Sequence, residues 1–303
     1  MPANRFPSSL LVVLALRAMP AFVCTALLLC GAASATALTV LSADESEAHA
    51  EFIRLLRAPQ DPAGSSVRVD ALTLAVGVGA ARTAIERPGR DPLLLAMLSR
   101  LDFESLRASP ALRRGDRPVG VLLREPAMAD QLALIDAILP NKRRLGVVAT
   151  AASAPIVREL QRAAEDWNLQ IEYAPDAQSI SSALRLLMPR CDALMVLPDL
   201  IGDSQAATLA VLRAAAGAGL PVFGTSEGVV RSGGLAAAVS TPAQLATQAR
   251  TLGQKLAAAP PVSRLLVEAA APAAVRVNTT VARGLGLRLP GEQELAQRIA
   301  AVR

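Results

Sequence analysis

Two places in this 303-residue chain end an apolar run with side chains able to hold a small polar molecule. Ala193 to Leu197 stops at Pro198-Asp199, and Pro221-Val222-Phe223 stops at Gly224-Thr225-Ser226-Glu227. An alanine- and leucine-rich segment of helical period separates them, so 192–235 reads as a β-α-β unit. In open parallel sheets, ligands sit just beyond the carboxyl ends of the strands. Asp199, Thr225, Ser226 and Glu227 are therefore candidate ligand-binding residues. The Asp199 carboxylate can accept from a ligand's ammonium or hydroxyls, or it can cap the next helix, a role for which Asp203 competes. Thr225 to Glu227 can form a polar nest at a helix start, or Thr225 or Ser226 can simply cap a short turn. Asp44, with Glu45 after the first apolar run, is a further candidate, although acids are ordinary in a first helical turn.

Bond-making chemistry finds little support. His49 is the single histidine and has no Cys or second His at ligand spacing, so a metal site or a Ser–His triad lacks partners. There is no G-x-S-x-G elbow and no P-loop. The run Gly77-Val78-Gly79-Ala80-Ala81 lacks the third glycine of a dinucleotide fingerprint, and Glu86 follows too early to be its acidic partner. Gly77, Gly79, Gly233 and Gly234 read as backbone requirements. The expectation is no catalytic residue, no metal, no cofactor and no enzyme. Beyond residue 35 the aromatics are Phe52, Phe103, Trp167, Tyr173 and Phe223. So few rings predict that neither an aromatic nor a sugar ligand is clamped by stacking.

The hydrophobic content of 52% with 19% charged residues marks a globular chain, long enough for two cores. Arginine supplies all the basic residues except Lys142 and Lys255. With so much alanine, that bias reads as GC-rich codon usage. Near the start, Arg5 and Arg17 precede the uncharged run Ala18 to Ala37, which ends in small residues. This is the pattern of a secretory signal, with cleavage expected after Ala35 and no membrane insertion of the remainder. Leu29 before Cys30 lacks the small side chain of a lipid-attachment site, so lipoprotein anchoring is not expected. Loss of Arg5 and Arg17 lowers the formal net charge from +5 to +3, too small to predict nucleic-acid binding. Cys24 and Cys30 leave with the signal; Cys191 remains alone, before a buried strand, and is expected to be inert.

Along the rest of the chain, strand and helix patterns alternate. Strands are expected at 38–41, 72–78, 93–98, 119–123, 145–149, 169–173, 192–197, 221–223 and 275–278, with a short apolar segment at 235–239. Helices are expected around 48–56 and at 80–86, 131–139, 155–167, 180–188, 205–216, 242–258, 279–285 and 292–302. Thr241-Pro242 supplies a hydroxyl cap followed by proline in the first turn. Near-continuous apolar strands imply parallel sheets covered on both faces. The predicted fold is α/β: two doubly wound parallel-sheet lobes joined by a hinge around a cleft. After a 1–35 signal, residues 36–124 with part of 235–275 form the first lobe. Residues 125–234 with 276–303 form the second.

Four stretches read together carry a resemblance: 130–150 (DQLALIDAILPNKRRLGVVAT), 191–199 (CDALMVLPD), 220–249 (LPVFGTSEGVVRSGGLAAAVSTPAQLATQA) and 275–290 (VRVNTTVARGLGLRLP). In order and spacing they resemble the ABC-transporter substrate-binding family with a type I periplasmic-binding fold, whose better-known members take aromatic amino acids. The match covers about the last 170 residues well and the first lobe loosely. The resemblance implies an exported, periplasmic solute-binding protein of an ABC import system, with a small polar solute between two lobes and an ABC permease or another envelope protein as partner. Carried onto this chain, it places Gly79, Asp199, Thr225 and Ser226 at the ligand. Two departures stand out. Ala80 replaces the family's threonine, and the loop after the first strand is cut to Ser42-Ala43-Asp44-Glu45. They leave open a second reading, an interaction module on the same scaffold that has lost or altered its solute site.

Overall fold

A computed structural model describes residues 38–43, 46–58, 72–113, 115, 117–176, 178–258 and 265–302. The chain begins with β1 (Thr39–Ser42), α1 (Glu47–Arg57), β2 (Thr73–Val76), α2 (Val78–Glu86), β3 (Leu93–Leu98), α3 (Arg100–Arg107), the single turn α4 (Pro110–Arg113) and β4 (Val119–Pro126). It continues with α5 (Met128–Ile138), β5 (Arg144–Ala149), α6 (Ala154–Ala163), β6 (Asn168–Tyr173), α7 (Ile180–Leu187), β7 (Ala193–Met195), α8 (Gln205–Gly217), β8 (Val222–Phe223), α9 (Glu227–Arg231) and β9 (Ala236–Val239). Last come α10 (Pro242–Ala257), β10 (Leu265–Ala270), β11 (Ala274–Val277), α11 (Thr279–Gly284) and α12 (Glu292–Ala301).

These strands form two sheets. One has the order β1-β2-β3-β4-β10 and is parallel throughout; the other runs β11-β9-β8-β7-β5-β6 and is parallel except for β11, antiparallel to β9. Their residues explain the arrangement. Every side chain of β3 is buried, as a strand with helices on both faces requires. On one face of the first sheet, Leu74, Val76, Leu94 and Leu122 pack with Phe52 of α1 and with Leu245, Ala249 and Leu252 of α10. On the other face lie Ala81, Ile85, Phe103 and Leu106 from α2 and α3. Burying each of the larger side chains contributes about 1.5–3 kcal/mol before the entropy of ordering is set against it. The second sheet is covered by α5, α6 and α12 on one side and by α7 and α8 on the other.

The chain passes between the sheets three times, from β4 to α5, from β9 to α10 and from β10 to β11. The segments meet there: Ser240 Oγ, after β9, donates to the Arg124 carbonyl in β4 at 2.6 Å. Gln131 of α5 is buried and pairs through its amide with both backbone groups of Ala238, at 2.7 and 3.1 Å. That bond ties the start of the second sheet's first helix to β9 and satisfies a polar group no water reaches.

Four elements named here differ from the sequence expectation. The strand expected over 72–78 stops at Val76, because Gly77 turns the chain (φ 82°) and Val78 already opens α2. The helix expected to reach Trp167 ends at Ala163. In addition, α3 and β10 were not anticipated. The first is announced by a reciprocal capping box between Ser99 and Asp102. The second pairs Leu265 to Glu268 with Val119 to Leu122, far back in the chain.

Candidate functional site

The carboxyl ends of both sheets converge on a cavity of about 440 Å³. From the second sheet it is lined by Gly202 and Asp203 after β7, and by Thr225, Ser226 and Glu227 after β8. From the first sheet come Met97 at the end of β3, and Arg124 and Glu125 at the end of β4; Arg276 of β11 completes the wall. None of the described lining residues is aromatic.

Local sequence explains these positions. Ser226 is the cap of α9, accepting the Val229 N–H at 3.4 Å, which aims the Thr225-Ser226-Glu227 turn at the cavity. Thr225 is buried, and its hydroxyl has no hydrogen-bond partner among the described residues. Glu227 faces Arg231 at 3.2 Å and Arg276 at 3.5 Å, while Arg276 also reaches Glu292 at 3.6 Å. Asp203 makes no ion pair among the described residues. A Cβ on Gly202 would come within 2.1 Å of the Leu197 carbonyl oxygen, so only glycine lets this loop close against the end of the strand.

Two acids at strand ends behave differently. Asp199 is fully buried beneath the cavity and is not part of its lining. One of its oxygens accepts from Ser153 Oγ, the other from the N–H groups of Ile201 (2.9 Å) and Gly202 (3.2 Å). The next helix, α8, is capped by Ser204 and by neither Asp199 nor Asp203; the hydrogen bonds of Asp199 close the turn that precedes it. Burial pushes its carboxyl up, against the pull of Ser153 and the two backbone donors. Glu125 pairs through Oε1 with Arg124 Nε at 2.6 Å. Its Oε2 is buried with no hydrogen-bond partner among the described residues. Burial holds this carboxyl above the usual glutamate range, partly offset by Arg124.

The structure thus brings Thr225, Ser226 and Glu227 together at one cavity and sets Asp199 below it. Gly79 lies in the first turn of α2, outside the lining, where a Cβ would press on the Ala43 side chain at 3.1 Å. Asp44 lies outside the described residues. Sequence reasoning missed Arg124, Glu125, Asp203 and Arg276 as lining groups. Met97 was missed too: its φ of 61° makes it the one non-glycine residue in the left-handed region among those described. It sits where the β3–β4 register shifts between Ala96 and Leu98. Backbone strain of this kind, costing about 1–3 kcal/mol, concentrates at ligand sites.

Residues 114–297 match the family model of the ABC transporter substrate binding protein. The chain belongs to that family. No curated protein sequence matches it significantly. Among solved structures, the ABC domain from Streptococcus pneumonia in complex with L-Trp aligns at a TM-score of 0.53 and 17% identity, covering 86% of this chain and 98% of that one. A ligand-free, open substrate-binding protein with adhesive properties from Clostridium difficile aligns at 0.63 and 15% identity, covering 84% and 96%. A conserved domain protein from Vibrio cholerae aligns at 0.55 and 20% identity, covering 87% and 98%. The family and the sheet arrangement together make this a type I periplasmic-binding fold, and its role is solute binding. Among the described residues, no helix is long and apolar enough to cross a membrane, and no cluster of His, Cys, Asp and Glu is placed to hold a metal ion.

Proposed function

We propose that the protein is the exported solute-binding component of an ABC import system, capturing a small polar solute between its lobes and presenting it to a permease. The observation that carries this reading is the cavity itself. Its walls come from the carboxyl ends of two separate sheets, and they carry both signs of charge and an unengaged hydroxyl on Thr225. A few convergent polar groups in a pocket of this size are the usual mark of a small-molecule site. We assign ligand contact to Thr225, Ser226 and Glu227 with Arg124, Asp203 and Arg276. Asp199, by contrast, supports the loop from below. The lobes are 36–124 and 125–234, completed by the later crossings, after removal of residues 1–35 in transit to the periplasm.

Closure around a solute requires that the solute bind the closed arrangement more tightly than the open one. A thermal-shift panel of amino acids, short peptides and organic acids tests the assignment, read on the wild type and on Thr225→Val, which keeps the shape and removes the hydroxyl. The expected result is a ligand-induced rise in Tm for one polar class, with affinity reduced about tenfold in the variant. Without aromatic walls, tryptophan, phenylalanine and hexoses should give no micromolar heat in calorimetric titration. Failure of every polar class to shift Tm would instead favour a scaffold that has lost its solute.

A further inference from the structure

A second groove, of about 470 Å³, shares no lining residue with the cleft. It runs between α3 of the first lobe and α6 of the second, and the outer strand β10 contributes Leu265 and Val267. Its charge is unbalanced. Arg100 pairs with Glu159 at 2.8 Å and Arg107 meets Glu104 at 3.6 Å. Arg158 and Arg162, one turn apart on the exposed side of α6, have no hydrogen-bond or ion-pair partner among the described residues. Alongside them, Leu265 and Val267 are 37% and 38% exposed. Two residues apart on a strand, they share one face. Among the described residues β10 pairs with β4 alone, at the end of the sheet order.

We propose that this groove binds an acidic, extended segment of a partner protein, laid along the outer edge of β10. Its carboxylates would meet Arg158 and Arg162, and its alternate apolar side chains would cover Leu265 and Val267. Each part has a physical cause. Guanidinium groups without a counter-charge favour carboxylates, which they can hold through two hydrogen bonds. A sheet edge offers a row of main-chain donors and acceptors that a second strand can pair with. That edge selects a polypeptide over an anionic lipid surface, which has no backbone to pair. Because α3 and α6 belong to different lobes, a segment touching both would bind one lobe arrangement better than another. The partner could therefore sense whether the cleft is closed. The groove and its occupant do not depend on which solute the cleft takes.

The test is fluorescence anisotropy with the purified protein and a short labelled peptide of alternating Glu and Val. A Lys–Val peptide and phosphatidylglycerol vesicles serve as comparisons. We expect micromolar binding of the acidic peptide, weakened by salt, and no binding of the basic one. The exposed double variant R158E/R162E should weaken binding about tenfold or more, whereas the charge-matched R213E/R283E should leave it unchanged. Methylating alternate backbone nitrogens of the peptide should abolish binding if a strand is added. Equal weakening by both double variants, undiminished binding of the methylated peptide, or binding of vesicles but not peptide would each overturn the proposal. Circular dichroism confirms that both variants are folded.

Discussion

Asp199 and Glu125 are both acids at the carboxyl end of a strand, both are withdrawn from water, and both have carboxyls raised by burial. They differ in how their oxygens are used. Each oxygen of Asp199 accepts at least one hydrogen bond from its own lobe. Glu125 has one oxygen on Arg124 and the other on nothing among the described residues. A fully satisfied carboxylate holds a loop in place and has little left to offer a ligand. A half-satisfied one is under electrostatic stress, and its cost changes with protonation or with whatever enters the cleft. Position at a strand tip is thus a poor guide to ligand contact; the count of acceptors already in use is a better one.

The largest expected effect breaks the satisfied side of this comparison. Asp199→Ala strands the N–H groups of Ile201 and Gly202 in a buried turn, at about 1–3 kcal/mol for each unsatisfied group that finds no water, and leaves Ser153 only its contacts with Thr150. We expect a loss of about 3–5 kcal/mol in urea unfolding, with Asp199→Asn losing roughly half of that because one acceptor survives. Any fall in solute affinity should then track the loss of folded protein. A stable Asp199→Ala protein with a selective binding defect would return Asp199 to the ligand.

The start of the same strand gives a smaller effect. Asp192, just before β7, accepts from the Arg144 guanidinium at 2.8 and 3.2 Å and from the Arg144 N–H at 3.1 Å. The Arg144 side chain lowers its carboxyl to about 2 against burial, with help from the Arg144 N–H and from Lys142. A lowered acid contributes stability above its unfolded value near 3.8. That contribution is lost as the pH falls through about 2. Allowing for screening around the exposed Arg144, Asp192→Asn should remove about 1–2 kcal/mol at neutral pH. It should also flatten the acid limb of an unfolding titration between about pH 4 and pH 2. Unchanged acid sensitivity in the variant would show that the Arg144 contact contributes nothing in solution.

Much of this framework was legible. The runs at 72–78 and 93–98 read as strands because each is almost wholly apolar, and strands form at Thr73–Val76 and Leu93–Leu98. Thr241-Pro242 announced α10, and Thr241 does accept the Gln244 N–H at 3.2 Å. By contrast, β10 was hidden: Leu265 pairs with Val119, and no local pattern reports a partner so distant. Arg124 and Glu125, just past the strand expected at 119–123, carry no signal of their own, since composition does not tell a charge at the surface from one at the mouth of a cleft. Arg276 lies within a strand expected from its apolar neighbours. The Ser99–Asp102 capping box was the one available signal for α3, and it went unused.

The smallest effect probes the half-satisfied acid. A carboxyl whose folded value is raised contributes stability that is fully present below its unfolded value near 4.5. That contribution is lost as the pH rises through the folded value, because the folded state then gives up a proton it holds more tightly. Glu125→Gln keeps the shape and a donor–acceptor pair but cannot ionise. Wild type should therefore lose stability relative to the variant as the pH is raised above 4.5 towards neutrality. Urea midpoints of the two proteins at several pH values read this directly. Asp199→Asn does not show the same pattern if its loss comes from missing acceptors, because that loss then dominates at every pH. Parallel curves for Glu125→Gln and wild type would mean that Arg124 fully balances the buried charge, and the contrast between the two acids would reduce to geometry alone.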